Sequence, residues 1–114
     1  MNSITSAELA LWQRGGLDFA LLDVRRARAR REQGGDIAGA TWLDPALWLD
    51  WKDEVVRSNA ARPVVLYCAH GHEISQGLAA ALAAMGADAR TLAGGFSAWS
   101  ADGRPATPVQ EDRP

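Results

Sequence analysis

Hydrophobic and polar positions along the chain follow two alternating patterns. Apolar runs of strand length, "DFALLDVR" at 18–25 and "PVVLYC" at 63–68, end in charged or reactive side chains. Between and after them lie helix-like segments, the clearest being the alanine-rich "SQGLAAALAAMG" at 75–86. Because predicted strands alternate with predicted helices, the pattern indicates an α/β fold with a mostly parallel central sheet flanked by helices.

Two helix starts are marked by capping residues. In "TSAELALWQRGG", Thr5 and Glu8 form a capping-box pair, and one glycine of Gly15–Gly16 can end the helix in the left-handed conformation. Asp44-Pro45 is typical of a helix opening, with Asp44 as N-cap and Pro45 at the first helical position. That helix is predicted to run to about Ser58, with Leu47, Trp48, Trp51 and Val55 on its buried face.

The remaining segments complete one domain. A short helix over 26–33, an extended piece "IAGATWL", a strand "ADARTL" at 87–92 and a last helix "FSAWSA" at 96–101 are predicted, with a tight turn at Gly94-Gly95. From Gly103 the sequence is polar and rich in proline. We therefore predict one domain over residues 1–102 and a flexible C-terminal tail over 103–114.

Composition excludes several functional classes. The chain has 114 residues, 47% of them hydrophobic and 23% charged, which is typical of one globular domain. A net charge of −2 gives no general attraction to nucleic acid. Without a leader-like start or an apolar run of roughly 20 residues, no membrane association is predicted and the expected location is cytoplasmic. The single cysteine suits a reducing compartment.

Arginine and tryptophan are locally enriched. "RRARARR" at 25–31 places five arginines in seven residues, either as a solvated helix face or as a surface that steers anionic donors or an acidic partner. Spacing favours the core for the tryptophans, above all Trp12, Trp48 and Trp99; Trp42 and Trp51 could instead border a cleft.

Cys68 is the candidate nucleophile. It ends the predicted central strand, and in parallel sheets the functional crevice lies beyond the carboxyl ends of the strands. Backbone N–H groups of the following loop can converge there with the N-terminus of the next helix and favour a thiolate. A buried filler role is the alternative for a lone cysteine. The loop comprises Ala69, His70, Gly71, His72, Glu73, Ile74 and Ser75.

Five features occur in a familiar order: "LLDVR" at 21–25, Glu32 downstream of it, "GDIAGA" at 35–40, "VVLYCAHG" at 64–71 and "LAGGFSAW" at 92–99. Together they resemble a single-domain rhodanese-like sulfurtransferase over about residues 4–101. The resemblance implies a three-layer fold and sulfur transfer from a thiosulfate-like donor through a persulfide on Cys68. With no second cysteine, the acceptor would be an external thiol or cyanide.

The resemblance also implies supporting residues near the site. Asp23 and Arg25 lie at a strand end, and Arg25 is expected to pair with Glu32 as a scaffold ion pair. A protonated His70 or His72 could support the thiolate, whereas Glu73 is expected to face outward. No cofactor and no metal site are predicted, because two loop histidines and one thiolate seldom converge on one ion.

Two alternatives remain open. The loop is one residue longer than in typical single-domain rhodaneses, a mark of relatives that act on phosphate or arsenate. Such phosphatases and arsenate reductases carry an arginine six positions after the cysteine, where this chain has Ile74. The other alternative is a rhodanese-like module without catalysis that senses or binds an oxyanion or a partner.

Overall fold

A computed structural model describes residues 2–108 of the chain. Seven strands are formed: β1 (Asn2–Ile4), β2 (Ala20–Asp23), β3 (Gly35–Asp36), β4 (Thr41–Trp42), β5 (Val64–Tyr67), β6 (Ala89–Leu92) and β7 (Thr107–Pro108). The helices are α1 (Ser6–Arg14), α2 (Ala27–Gln33), α3 (Trp48–Ser58), α4 (Glu73–Ala84) and α5 (Gly95–Ala101), with a 3₁₀ turn at Pro45–Leu47 before α3.

The central sheet is parallel and has five strands in the order β1-β6-β5-β2-β4. β5 lies in the middle, and all four of its residues are buried, as its apolar sequence predicts. The carboxyl ends of β2 and β5 are level, since Asp23 pairs with Tyr67 in the register. The residues after these two strands therefore meet at one edge of the sheet.

Helices cover both faces of the sheet, which gives the predicted three layers. On one face, α1 and α5 bury Leu9, Phe96 and Trp99 against the sheet. On the other, α3 and α4 contribute Val55 and Leu82, and this second core cluster extends to Cys68. No helix within residues 2–108 is long and apolar enough to cross a membrane.

The capping residues act as predicted. The Thr5 hydroxyl accepts from the N–H of Glu8, the Glu8 carboxylate accepts from the N–H of Thr5, and Gly16 adopts a φ of 67° after α1. The Asp44 side chain accepts from the N–H of Ala46. Helix caps depend only on residues that are close in the sequence, so the sequence alone was sufficient to predict them.

Several boundaries differ from the prediction. Helix α4 begins at Glu73, two residues before the predicted start, and only Thr41–Trp42 of "IAGATWL" is a strand. Leu47 is 53% exposed because it ends the 3₁₀ turn rather than lying in α3, so its predicted place on the buried face was wrong. Strand β1 and the β3–β7 pair were not predicted.

Residues 104–108, at the start of the predicted tail, make contacts with the domain. The indole N–H of Trp99 donates to the carbonyl of Pro105 at 2.8 Å, and Arg104 Nε donates to the Ser6 hydroxyl at 3.1 Å. β7 then pairs antiparallel with β3. The rest of the predicted tail, 109–114, lies outside the described residues.

The tryptophans take three kinds of position. Trp99 is buried in the first core cluster, and Trp12 and Trp48 pack partly buried against the two clusters, as spacing predicts. Trp51 packs on the second cluster and donates to a backbone carbonyl of the Asp44 turn. Trp42 donates its indole N–H to the carbonyl of Arg25 at 2.9 Å, which ties β4 to the site edge.

Candidate active site

Cys68 lies directly after β5 at the carboxyl edge of the sheet, where the sequence predicts the functional crevice. Its side chain is only 5% exposed and belongs to the second core cluster. It nevertheless lines a pocket of about 470 Å³ that opens to the surface. The sulfur is therefore shielded from bulk solvent by the protein but is reachable from one side.

Hydrogen-bond donors converge on this sulfur. The Ser75 hydroxyl lies 3.2 Å from Sγ, and the backbone N–H groups of His70, His72 and Ser75 also favour a charged sulfur. Burial by itself raises the pKa of the Cys68 thiol, but the Ser75 hydroxyl and the three backbone donors outweigh burial. The pKa of Cys68 is consequently lower than that of an ordinary thiol.

The loop after Cys68 is supported by the first turn of α5. The N–H groups of Phe96 and Ser97 donate to the carbonyls of Cys68 and Ala69, both at 2.9 Å. Gly71 and Gly95 have φ of 72° and 60°, and a Cβ on Gly71 would come within 2.9 Å of the Gly95 nitrogen. Only glycine permits this close approach of the loop to α5.

The predicted ion pair of Arg25 with Glu32 is wrong. Arg25 is fully buried and donates to Asp23 and Asp36, with shortest distances of 2.7 and 2.8 Å. Glu32 is exposed and pairs instead with Arg28 at 3.1 Å, one helical turn away on α2. Helix α2 directs Glu32 to solvent, and Asp36 of β3 pairs with Arg25 instead.

A second arginine completes this network. Arg30 binds the other oxygen of Asp36 at 2.6 Å and packs over the Trp42 ring at 5.1 Å from its centroid. The bond to Asp36 raises the pKa of Arg30 above its ordinary value, although partial burial opposes it. Two members of the arginine run are thus scaffold residues, while Arg26 is exposed and lines the pocket.

Gln33 connects this scaffold to the cysteine loop. Its amide oxygen accepts from Arg25 Nη1 at 3.2 Å, and its amide nitrogen donates to the carbonyl of Ala69 and to the Ser97 hydroxyl, each at 3.2 Å. Ser97 in turn lies 2.8 Å from Nδ1 of His70. Gln33, Asp36 and Ser97 were not predicted from the sequence; the two partners of Ser97 lie 64 and 27 positions away along the chain.

The rim of the pocket is formed by side chains of the loop and of α2. His70, His72 and Glu73 are exposed, and Ile74 is half-buried against the second core cluster. Glu73 occupies the first turn of α4. Across residues 2–108, no three His, Cys, Asp or Glu side chains lie close enough together to hold a metal ion.

The fold and site define a class: an α/β domain that presents a single hydrogen-bonded thiol at the carboxyl edge of a parallel sheet. The family model described as the rhodanese-like domain matches residues 5–102. The chain belongs to the rhodanese-like domain family. A comparison with curated proteins gave no match.

Solved structures agree with this family. A protein from Pseudomonas aeruginosa named thiosulfate sulfurtransferase matches 94% of this chain with 27% identity and a TM-score of 0.75, although the match covers only 19% of that longer chain. A rhodanese-related protein from Thermoplasma volcanium matches 94% of this chain and 98% of its own, with 22% identity and a TM-score of 0.77. The latter likeness concerns the fold alone.

A third neighbour has a different name. A protein of unknown function from Rhodopseudomonas palustris, described as a possible tyrosine phosphatase, is 27% identical with a TM-score of 0.78. The match covers 93% of this chain and 84% of that one. The neighbours therefore agree on the fold but not on the reaction.

Proposed function

We propose that the protein is a sulfurtransferase that carries sulfur as a persulfide on Cys68. The observation that carries this proposal is the convergence of the Ser75 hydroxyl and three backbone N–H groups on a sulfur that lines an open pocket. These donors favour the thiolate, which is the nucleophilic form of cysteine. They also suit the negative outer sulfur of a persulfide.

The proposed reaction has two steps. The Cys68 thiolate attacks the outer sulfur of thiosulfate or a similar sulfane donor, and a new S–S bond forms while the bond to the sulfonate sulfur breaks. Sulfite leaves with the electron pair of that bond. A thiophile, either cyanide or an external thiol, then attacks the outer sulfur of the persulfide and regenerates the thiolate. Cys68 is the only cysteine, so an internal disulfide has no part in the cycle.

The pocket suits a small substrate. A volume of about 470 Å³ accommodates thiosulfate and leaves space for the acceptor. Arg26, exposed at its edge, supplies positive charge for an anionic donor. The reducing cytoplasm is the compartment in which such a persulfide carrier with a single free thiol would work.

Intact-mass measurement tests the proposal. Purified protein treated with thiosulfate alone should gain the mass of one sulfur atom, and cyanide should remove that mass with release of thiocyanate. Cys68→Ser should gain nothing, and it is the matched control because a hydroxyl replaces the thiol. A wild-type protein that keeps its original mass, or that gains sulfur equally in Cys68→Ser, would overturn the proposal.

Two further assays distinguish the alternatives. Turnover of p-nitrophenyl phosphate or arsenate would favour the phosphatase or reductase reaction suggested by one neighbour's name. We expect neither, since Ile74 stands where such enzymes place a phosphate-binding arginine. Binding of thiosulfate or sulfite without any transfer would identify a binding module instead.

A further inference from the structure

Gln33 has an amide orientation that its neighbours determine. Arg25 Nη1 can only donate, so the atom 3.2 Å away must be the amide oxygen. The carbonyl of Ala69 can only accept, so the atom that faces it, also at 3.2 Å, must be the amide nitrogen. Two independent partners therefore give the same orientation, which removes the usual ambiguity of an amide side chain.

This orientation sets the direction of the next two hydrogen bonds. The Gln33 amide donates its second proton to the Ser97 oxygen at 3.2 Å. Ser97 keeps its own single proton to donate, and Nδ1 of His70, at 2.8 Å, is the one acceptor among residues 2–108 within hydrogen-bond distance of that hydroxyl. Nδ1 is an acceptor in this arrangement, so the neutral His70 ring carries its proton on Nε2.

His70 is also a residue of the sulfur site itself. Its backbone N–H is one of those that lower the pKa of Cys68, while its ring is exposed and lines the same pocket as Cys68. Within residues 2–108, Nε2 has no hydrogen-bond partner. An N–H donor is thus available on the same pocket as the thiol.

We propose that Arg25, Gln33 and Ser97 hold His70 as an Nε2–H donor that binds the oxyanion end of a sulfane donor, the sulfonate of thiosulfate and the sulfite that leaves. His70 is then a specificity-determining residue, and Gln33 and Ser97 are positioning residues that act through it. The identity of the bound group rests on the proposed function; the position of the proton does not.

Long-range ¹H–¹⁵N NMR of the histidine rings tests the proton position directly. At the high-pH plateau of each ring's titration, wild-type His70 should show an unprotonated Nδ1 and a protonated Nε2. Ser97→Ala should give a mixture of the two tautomers, and Ser97→Thr should restore the wild-type signals. His72 is the internal reference. A protonated Nδ1 in the wild type, or identical signals in Ser97→Ala, would overturn the proposal.

Gln33→Glu reverses the chain of hydrogen bonds with almost no change in size. The new carboxylate can only accept, so Ser97 turns its proton to it and accepts from His70, and Nδ1 should become protonated. Gln76→Glu is the matched control, since Gln76 donates to the carbonyl of Gly71 in the same loop but does not contact His70. Equal effects of the two substitutions on the His70 ring would contradict the assignment.

Kinetics with two donors then test the contact with substrate. His70→Ala should raise KM for thiosulfate by about tenfold, the loss typical of a hydrogen bond to a charged group, and should leave KM for a small-thiol persulfide, which has no sulfonate, unchanged. His72→Ala is the control.

If the wild type transfers sulfur but His70→Ala shows the same KM for thiosulfate, the inference fails and the proposed function stands. If the wild type transfers none, the proposed function fails, and NMR titration with sulfite decides whether Nε2–H binds the anion.

Discussion

The hydroxyl of Ser75, in the first turn of α4, lies 3.2 Å from the sulfur of Cys68 and is completely buried. No other side chain of the described residues lies within hydrogen-bond distance of this sulfur. Ser75 is therefore the one donor that a substitution can remove without disturbing the backbone of the loop.

Ser75→Ala should raise the pKa of Cys68 toward that of an ordinary thiol. The substitution removes a hydrogen bond that favours the thiolate and leaves the burial that opposes it. Alkylation by iodoacetamide at neutral pH should slow by roughly tenfold, the factor expected for a hydrogen bond to a charged atom. The pH profile of the alkylation rate measures the change. Ser58→Ala, at the end of α3, is the control, and an unchanged profile in Ser75→Ala would contradict this role.

Stability should depend on pH through the same thiol. The folded protein stabilises the Cys68 thiolate more than the unfolded chain does, so the pKa of Cys68 is lower in the folded state. Its stabilising contribution is therefore absent below the folded-state pKa and complete above the ordinary thiol pKa of about 8.5. The free energy of unfolding of the wild type, measured relative to Cys68→Ser in urea, should rise as the pH increases through this window. A difference that falls with pH would show that the fold favours the neutral thiol.

Gly95→Ala and Gly77→Ala should have opposite effects on stability. Gly95 has a φ of 60°, and an added Cβ would meet the carbonyl of Cys68 and lie 2.6 Å from the Gly71 nitrogen, so a loss of more than about 2 kcal/mol is expected. Gly77 lies within α4 with open space around it, and alanine should stabilise the helix by about 1 kcal/mol. Urea denaturation measures both, and a harmless Gly95→Ala would mean that the turn can move away from the loop.

Arg25→Met should destabilise the fold by about 3–5 kcal/mol, because it leaves the buried Asp23 carboxylate without its partner. Glu32→Gln, which removes the exposed partner of Arg28, should change the free energy of unfolding by less than about 1 kcal/mol. Chemical denaturation of the two variants decides between the observed and the expected partner of Arg25. A larger loss in Glu32→Gln would reinstate the expected pair.

Arg26→Gln should slow the capture of an anionic donor. This arginine is exposed at the pocket, so its charge acts at short range on thiosulfate. We expect kcat/KM for thiosulfate to fall about two- to threefold at low ionic strength. In roughly 0.5 M salt, where charges are screened, the variant and the wild type should differ less. Arg57→Gln, on the exposed side of α3, is the control for net charge. Activity of both proteins that is independent of salt would remove any steering role for the arginine run.

The order of elements and the place of Cys68 could be predicted because they depend on local signals. The run "VVLYC" determines both a buried central strand and the residue at its end, and Thr5 with Glu8 determines where α1 begins. These features require no knowledge of which segments meet in space. The thiol at the sheet edge follows from them directly.

Contacts between remote segments could not be predicted in this way. Gln33 and Ser97 are 64 positions apart and meet only because α2 and α5 approach the same loop. The prediction that Arg25 pairs with Glu32 was wrong for a reason that the sequence itself contains. Arg28 and Glu32 are four residues apart on one helix, a spacing that favours their own ion pair. Asp36 then satisfies Arg25 from a two-residue strand that alternation of apolar residues does not reveal.

The contact of Gly71 with Gly95 separates two roles within the cysteine loop. The path of the main chain is held by the first turn of α5, more than 20 residues further along the sequence, whereas the side chains of His72 and Glu73 are exposed and do not hold that path. Substitutions at those two positions can therefore retune which molecules enter while the cradle of the sulfur keeps its shape. Such a division makes this small domain a practical starting point for engineering new donor or acceptor preferences.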